Sequence, residues 1–125
     1  MKDAFGYAIQ TAGLTKEYEE GVRAVDALDL AVEANSVFAL LGPNGAGKTT
    51  TVSMLTTLLP PTSGSATVAG SDVVISARDV RSKIGVTFQE TVLDDALTGR
   101  QALDHHGQLY GLSRAARRDR AAELL

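Results

Sequence analysis

The chain has 125 residues, 44% of them hydrophobic, with 12 Lys and Arg against 15 Asp and Glu for a formal net charge of −3. That length suits one domain with a modest core, and the acidic balance argues against broad nucleic-acid binding. With no cysteine, disulfide frameworks and thiolate metal sites are excluded, which agrees with a reducing cytoplasm. The longest apolar run, Val37 to Leu41, is far too short to span a bilayer, and the N-terminus lacks the basic-then-apolar pattern of a signal peptide.

In chain order, partial alternation over Ile9 to Thr15 predicts a strand, and Ala24 to Val32 a second, joined through Tyr18 to Val22. Val37-Phe38-Ala39-Leu40-Leu41 is continuously apolar, the pattern of a strand buried on both faces of a mostly parallel sheet. Gly42 ends it. From Lys48 to Leu58 the spacing of Val52, Leu55 and Leu58 predicts a helix, stopped by Pro60-Pro61.

Beyond the turn Pro60 to Gly64, Ser65 to Ala69 reads as a strand closed by Gly70. Ala77 to Lys83 reads as a short helix, and Ile84 to Phe88 as a strand ending at Gln89. Thr98 is a candidate N-cap for a helix reaching Tyr110 and ended by Gly111, with Ala102, Leu103 and Leu109 as candidates for its packed face, and Ser113 is a cap candidate for an arginine-rich helix. Arg114, Arg117, Arg118 and Arg120 read as a solvated face.

The chemistry concentrates between residues 42 and 49. Gly42-Pro43-Asn44-Gly45-Ala46-Gly47-Lys48-Thr49 fits the pattern G-x-x-x-x-G-K-[ST], placed between the predicted strand and helix. A glycine-rich turn there aims unpaired N–H groups and the positive end of the helix dipole at one point, which suits a polyphosphate. Gly45 and Gly47 let the backbone close around phosphate as an anion-binding nest. Lys48 would reach the β- and γ-phosphates as a point charge, the Thr49 hydroxyl would ligate Mg²⁺, and Thr50 could donate to the α-phosphate. An ordinary glycine turn with a solvent-facing lysine is the plainer alternative.

With its flanks, this loop resembles that of the ATP-binding subunits of ABC transporters. Leu14-Thr15-Lys16 and Tyr18 precede Gly-Pro-Asn-Gly-Ala-Gly-Lys-Thr-Thr, Pro61-Thr62-Ser63-Gly64 follows, and Gln89 stands at the Q-loop position. Leu97-Thr98-Gly99-Arg100 and Leu109-Tyr110-Gly111-Leu112-Ser113 are most similar to the daunorubicin-resistance, drug-export branch. The resemblance implies an α/β fold: a partial P-loop NTPase core with an N-terminal antiparallel β subdomain and C-terminal helices. Residues 1–125 would form the N-terminal part of a single, truncated ATP-binding domain.

By the same resemblance ATP and Mg²⁺ are the cofactors, with Gly42, Asn44, Gly45, Ala46, Gly47, Lys48, Thr49 and Thr50 holding the nucleotide. Tyr18 would stack on adenine with support from Val25, a contact any flat aromatic face can make. Gln89 would touch Mg²⁺ or the attacking water, so Lys48 and Gln89 are the catalytic candidates and Thr49 and Gln89 the metal candidates. The implied partners are a transmembrane permease and a second ATP-binding subunit, giving a cytoplasmic protein held at the inner face of the membrane through the permease.

The signature motif, Walker B acid pair, D-loop and switch histidine of the family do not occur in these 125 residues, so the chain on its own is expected to lack turnover. The alternatives are a short module that binds ATP–Mg²⁺ without hydrolysis and an unrelated P-loop kinase or GTPase. His105 and His106 read as helix-surface residues and Asp94-Asp95 as part of a loop. Segments 37–41 and 84–88 are expected to lack their strand neighbours, which would promote self-association.

Overall fold

The computed structural model describes residues 6–90 and 94–125, in two compact units, Met1–Val86 and Thr87–Leu125. In the first, β1 (Tyr7–Glu17) and β2 (Arg23–Glu33) form an antiparallel hairpin through a 3-10 turn at Glu19–Gly21. These are the two predicted N-terminal strands and their connection. β3 (Ser63–Val68) pairs with the other edge of β1, and β4 (Ser71–Asp72) with β3, giving the order β2-β1-β3-β4.

Local chemistry explains the joints. Ala69 and Gly70 both have positive φ, as the two central residues of a tight β3–β4 hairpin require. At Gly64 a Cβ would come within 2.1 Å of the Gly13 carbonyl oxygen, so only glycine lets β3 approach β1 this closely.

Two helices, α1 (Lys48–Leu55) and α2 (Ala77–Lys83), belong to this unit. Leu14, Val25, Met54, Leu55, Ala66, Val68, Val73 and Val80 form its core, with Ile84 packed against them. α1 departs from expectation in length and in face. It ends at Leu55, before the prolines, because Thr57 takes a left-handed φ of 65° and the amides of Thr57 and Leu58 return to Met54 and Ser53. That closure is a Schellman-type cap. The buried stripe is Thr51, Met54 and Leu55, while Val52 and Leu58 are exposed. Thr51 is tolerated inside because its hydroxyl donates to the Gly47 carbonyl.

Residues 37–41 and 84–88 are not strands: they have no regular secondary structure and no ladder partner among the described residues. Leu41 is 88% exposed, and Val37 and Phe38 are also exposed. The physical reason is that a parallel strand needs neighbours reached through crossovers, and the described sheet is wholly antiparallel.

The second unit is a helical hairpin, α3 (Gly99–Leu109) and α4 (Arg114–Leu124). Thr98 caps α3 in a reciprocal capping box with Gln101, and the Ser113 hydroxyl accepts from the Ala116 amide to cap α4. Gly111, at φ 72°, ends the first helix as expected. Ala102 and Leu103 are half-buried, but Leu109 is 73% exposed. The contact is made instead at Gly107, whose missing side chain leaves room for the Arg117 stem, and Arg117 Nε reaches Asp104 at 2.8 Å.

Candidate functional site

The phosphate loop occupies residues 42–49 at the N-terminus of α1. Gly47 sits at the N-cap with φ 92°, a conformation that L side chains rarely adopt. A Cβ there would lie 2.3 Å from the Ala24 carbonyl oxygen and 3.1 Å from Val25 Cγ2. The loop therefore rests on the first residues of β2, and Val25, 8% exposed, is part of the core beneath it.

Within the loop, the Ala46 amide donates to the Pro43 carbonyl, closing a turn, and the Thr51 amide donates to the Gly47 carbonyl. Among the described residues, the amides of Gly45, Gly47, Lys48, Thr49 and Thr50 have no acceptor within the chain, and no side chain caps the helix. These are the unpaired donors that every helix start leaves, gathered behind a glycine turn. Lys48 Nζ donates to the Gly42 carbonyl and, at 2.7 Å, to the Pro43 carbonyl. The ammonium thus ties the start of the loop to the start of α1. Thr49 is exposed, its hydroxyl uncommitted among the described residues.

Tyr18 lies at the end of β1, its amide donating to the Val22 carbonyl across the 3-10 turn at 2.8 Å. The residue is 45% exposed. Arg23, at the start of β2, bonds Glu17 and Asp26, and those carboxylates, Glu17 first, raise its pKa above the ordinary guanidinium value. The first unit contains Tyr18, Val25 and the loop residues Gly42, Asn44, Gly45, Ala46, Gly47, Lys48, Thr49 and Thr50, and within it Val25 lies under Gly47. Gln89 belongs to the second unit, exposed in a bend.

Elsewhere, His105 and His106 are exposed on α3, the latter's ring 5.3 Å from that of Tyr110. Asp94 accepts from the Ala96 amide in a turn. A groove of about 870 Å³ between α3 and α4 is lined by Arg100, Asp104, Arg114, Arg117 and Arg118 among others. Asp104 and Asp119 pair with two of its arginines. Among the described residues there is no group of three His, Asp or Glu able to hold a metal, and no helix long and apolar enough to cross a membrane. Lys16, beside Tyr18, was not singled out by spacing; only the structure shows what it touches.

A glycine turn with unpaired amides, at the start of a helix and followed by Lys and Thr, defines a P-loop nucleotide-binding fold. The family model for ABC transporters matches residues 25–125, and the chain belongs to that family. It is 52% identical over 118 residues to the daunorubicin/doxorubicin resistance ATP-binding protein DrrA of Streptomyces peucetius, an alignment covering 94% of this chain and 36% of that protein. It is also 50% identical to the doxorubicin resistance ATP-binding protein DrrA of Mycobacterium tuberculosis strain H37Rv, over 94% of this chain and 36% of that one. Among solved structures, the dimeric bacterial ABC transporter cassette MJ0796 superposes with a TM-score of 0.77 at 26% identity, covering 92% of this chain and 54% of the cassette. The chain thus has a partial ABC ATPase fold and spans a little over a third of the length of these two curated relatives.

Proposed function

We propose that residues 1–125 are the N-terminal part of a single ABC ATP-binding domain, and that this part binds ATP with Mg²⁺. The assembled subunit would couple ATP binding and hydrolysis to export of a drug- or antibiotic-like substrate. The observation that carries the proposal is the set of unpaired amides of Gly45, Gly47, Lys48, Thr49 and Thr50, in a loop that only a glycine at position 47 can close against Ala24. A side chain at that point would collide with the β2 backbone at Ala24 and push the loop off its seat.

The residues present fit a magnesium-bound triphosphate. The amides and Lys48 supply donors and charge for the phosphate oxygens, the Thr49 hydroxyl a hard oxygen ligand for the metal, and Thr50 a further donor. Asn44 and Ala46 shape the turn, with Gly42 at its start. When bound, Mg²⁺ neutralises charge on the phosphates. Tyr18, 45% exposed, offers an aromatic face to the base, with Val25 assigned to its support. Gln89 is assigned to Mg²⁺ or the attacking water.

The proposal gives binding to this chain and turnover to the assembled subunit, working with a transmembrane permease and a second ATP-binding subunit at the inner face of the membrane. The drug-export assignment is supported by the resistance proteins that the chain resembles at 50–52% identity. Calorimetric titration with Mg-ATP tests the binding step. Saturable one-site binding, weakened about tenfold or more by Lys48→Ala through loss of a charge-assisted contact, is expected. Binding that Lys48→Ala leaves intact would overturn the assignment.

A further inference from the structure

Lys16 stands two residues before Tyr18 at the end of β1, and its ammonium makes two contacts that single it out. It lies 5.5 Å from the centroid of the Tyr18 ring. It also donates to the Pro60 carbonyl at 2.9 Å. Pro60 follows the turn that closes α1, the helix whose opposite end carries the phosphate loop. No carboxylate pairs with Lys16 among the described residues, so its charge is available to the ring.

A tyrosine as exposed as Tyr18 ordinarily samples several rotamers, and ordering its ring when a base arrives subtracts from affinity. A cation that faces the ring and is itself anchored limits that sampling beforehand. The backbone on the other side is already fixed by the bond from the Tyr18 amide to Val22. We infer that Lys16 is a positioning residue that pre-orients the Tyr18 ring for a stacked purine base, linking the base-binding end of the site to the far end of the phosphate-binding helix. The inference rests on the assignment of Tyr18 to the base.

A simple strap between β1 and residue 60 would act on the whole site alike, whereas a ring-positioning residue acts only on ligands that have a base. The test measures dissociation constants for Mg-ATP and for magnesium tripolyphosphate, which has no base, on the chain and on Lys16→Met, Lys16→Gln, Lys16→Arg and Tyr18→Ala. Lys16→Met is expected to weaken Mg-ATP about threefold to tenfold and to leave tripolyphosphate within about twofold. Lys16→Gln, which keeps a donor toward Pro60 without the cation, shows the same base-specific loss and covers the case in which Lys16→Met fails to fold. Lys16→Arg, which keeps both cation and donor, restores Mg-ATP affinity.

Equal weakening of both ligands by the Met and Gln variants, or no weakening of either, overturns the inference. Tyr18→Ala separates the two levels. If it leaves the ratio of the two affinities unchanged, the base-stacking assignment fails and the inference with it. If it lowers the ratio while the Lys16 variants do not, only the role of Lys16 is refuted.

Discussion

The β1–β2 hairpin and the apolar segment at 37–41 lie a few residues apart, and their sequences promise strands equally well. One is a ladder running from Tyr7 with Glu33 to Glu17 with Arg23, and the other has no partner among the described residues. The difference lies in where the hydrogen-bonding neighbour comes from. An antiparallel hairpin carries its partner a short turn away, whereas a buried parallel strand depends on neighbours reached through crossovers. Apolar composition marks a segment that can become a strand; pairing decides whether it does.

The antiparallel half holds its own core, so mutations there have the largest effect. Met54 is fully buried on α1, and Met54→Ala is expected to cost about 2–5 kcal/mol, read as a lower midpoint in chemical denaturation. By contrast, Val37→Lys with Leu41→Lys removes apolar side chains that touch water already. The double substitution is expected to shift the denaturation midpoint by less than about 0.5 kcal/mol while reducing concentration-dependent self-association in sedimentation. A loss of stability comparable to that of Met54→Ala would break the comparison.

The helical unit sharpens the same point, because its stabilising contacts are also local in sequence. Thr98→Ala removes the reciprocal cap of α3 and should cost about 1 kcal/mol of helix stability, measured by amide exchange across 99–109. The smallest effect concerns pH. Hydrogen bonds from Arg117 first and Gln108 second hold the Asp104 carboxyl below its ordinary value. A depressed pKa in the folded state contributes stability that is present above the unfolded value, about 3.9, and is lost as pH falls through the lower folded value. Helicity of the hairpin should therefore decline slightly on acidification, and Asp104→Asn should flatten that decline.

What the sequence made legible follows the same division. Caps, glycine turns and the hairpin rest on residues adjacent in the chain, so Thr98, Ser113 and Gly111 could be read directly. The phosphate loop is of this kind too, because its glycines, Lys48 and the helix start are contiguous. The face and end of α1 were not legible: Thr57, a β-branched residue in a left-handed conformation whose hydroxyl accepts from Arg81 at 2.9 Å, stops the helix where no glycine or proline signals it. Leu109, a candidate for the packed face, is instead 73% exposed, because the hairpin closes over Gly107, where the absence of a side chain admits Arg117. The contact between Lys16 and Pro60 spans 44 residues and has no local sequence signal.

In the proposed function the unpaired amides of the glycine loop receive phosphate. The most direct test is amide chemical-shift mapping of the ¹⁵N-labelled chain during titration with Mg-ATP. The largest saturable shifts are predicted at Gly45, Gly47, Lys48, Thr49 and Thr50, absent in Lys48→Ala. Shifts confined to the arginine-lined groove between α3 and α4, or an unresponsive loop at saturating nucleotide, would contradict it.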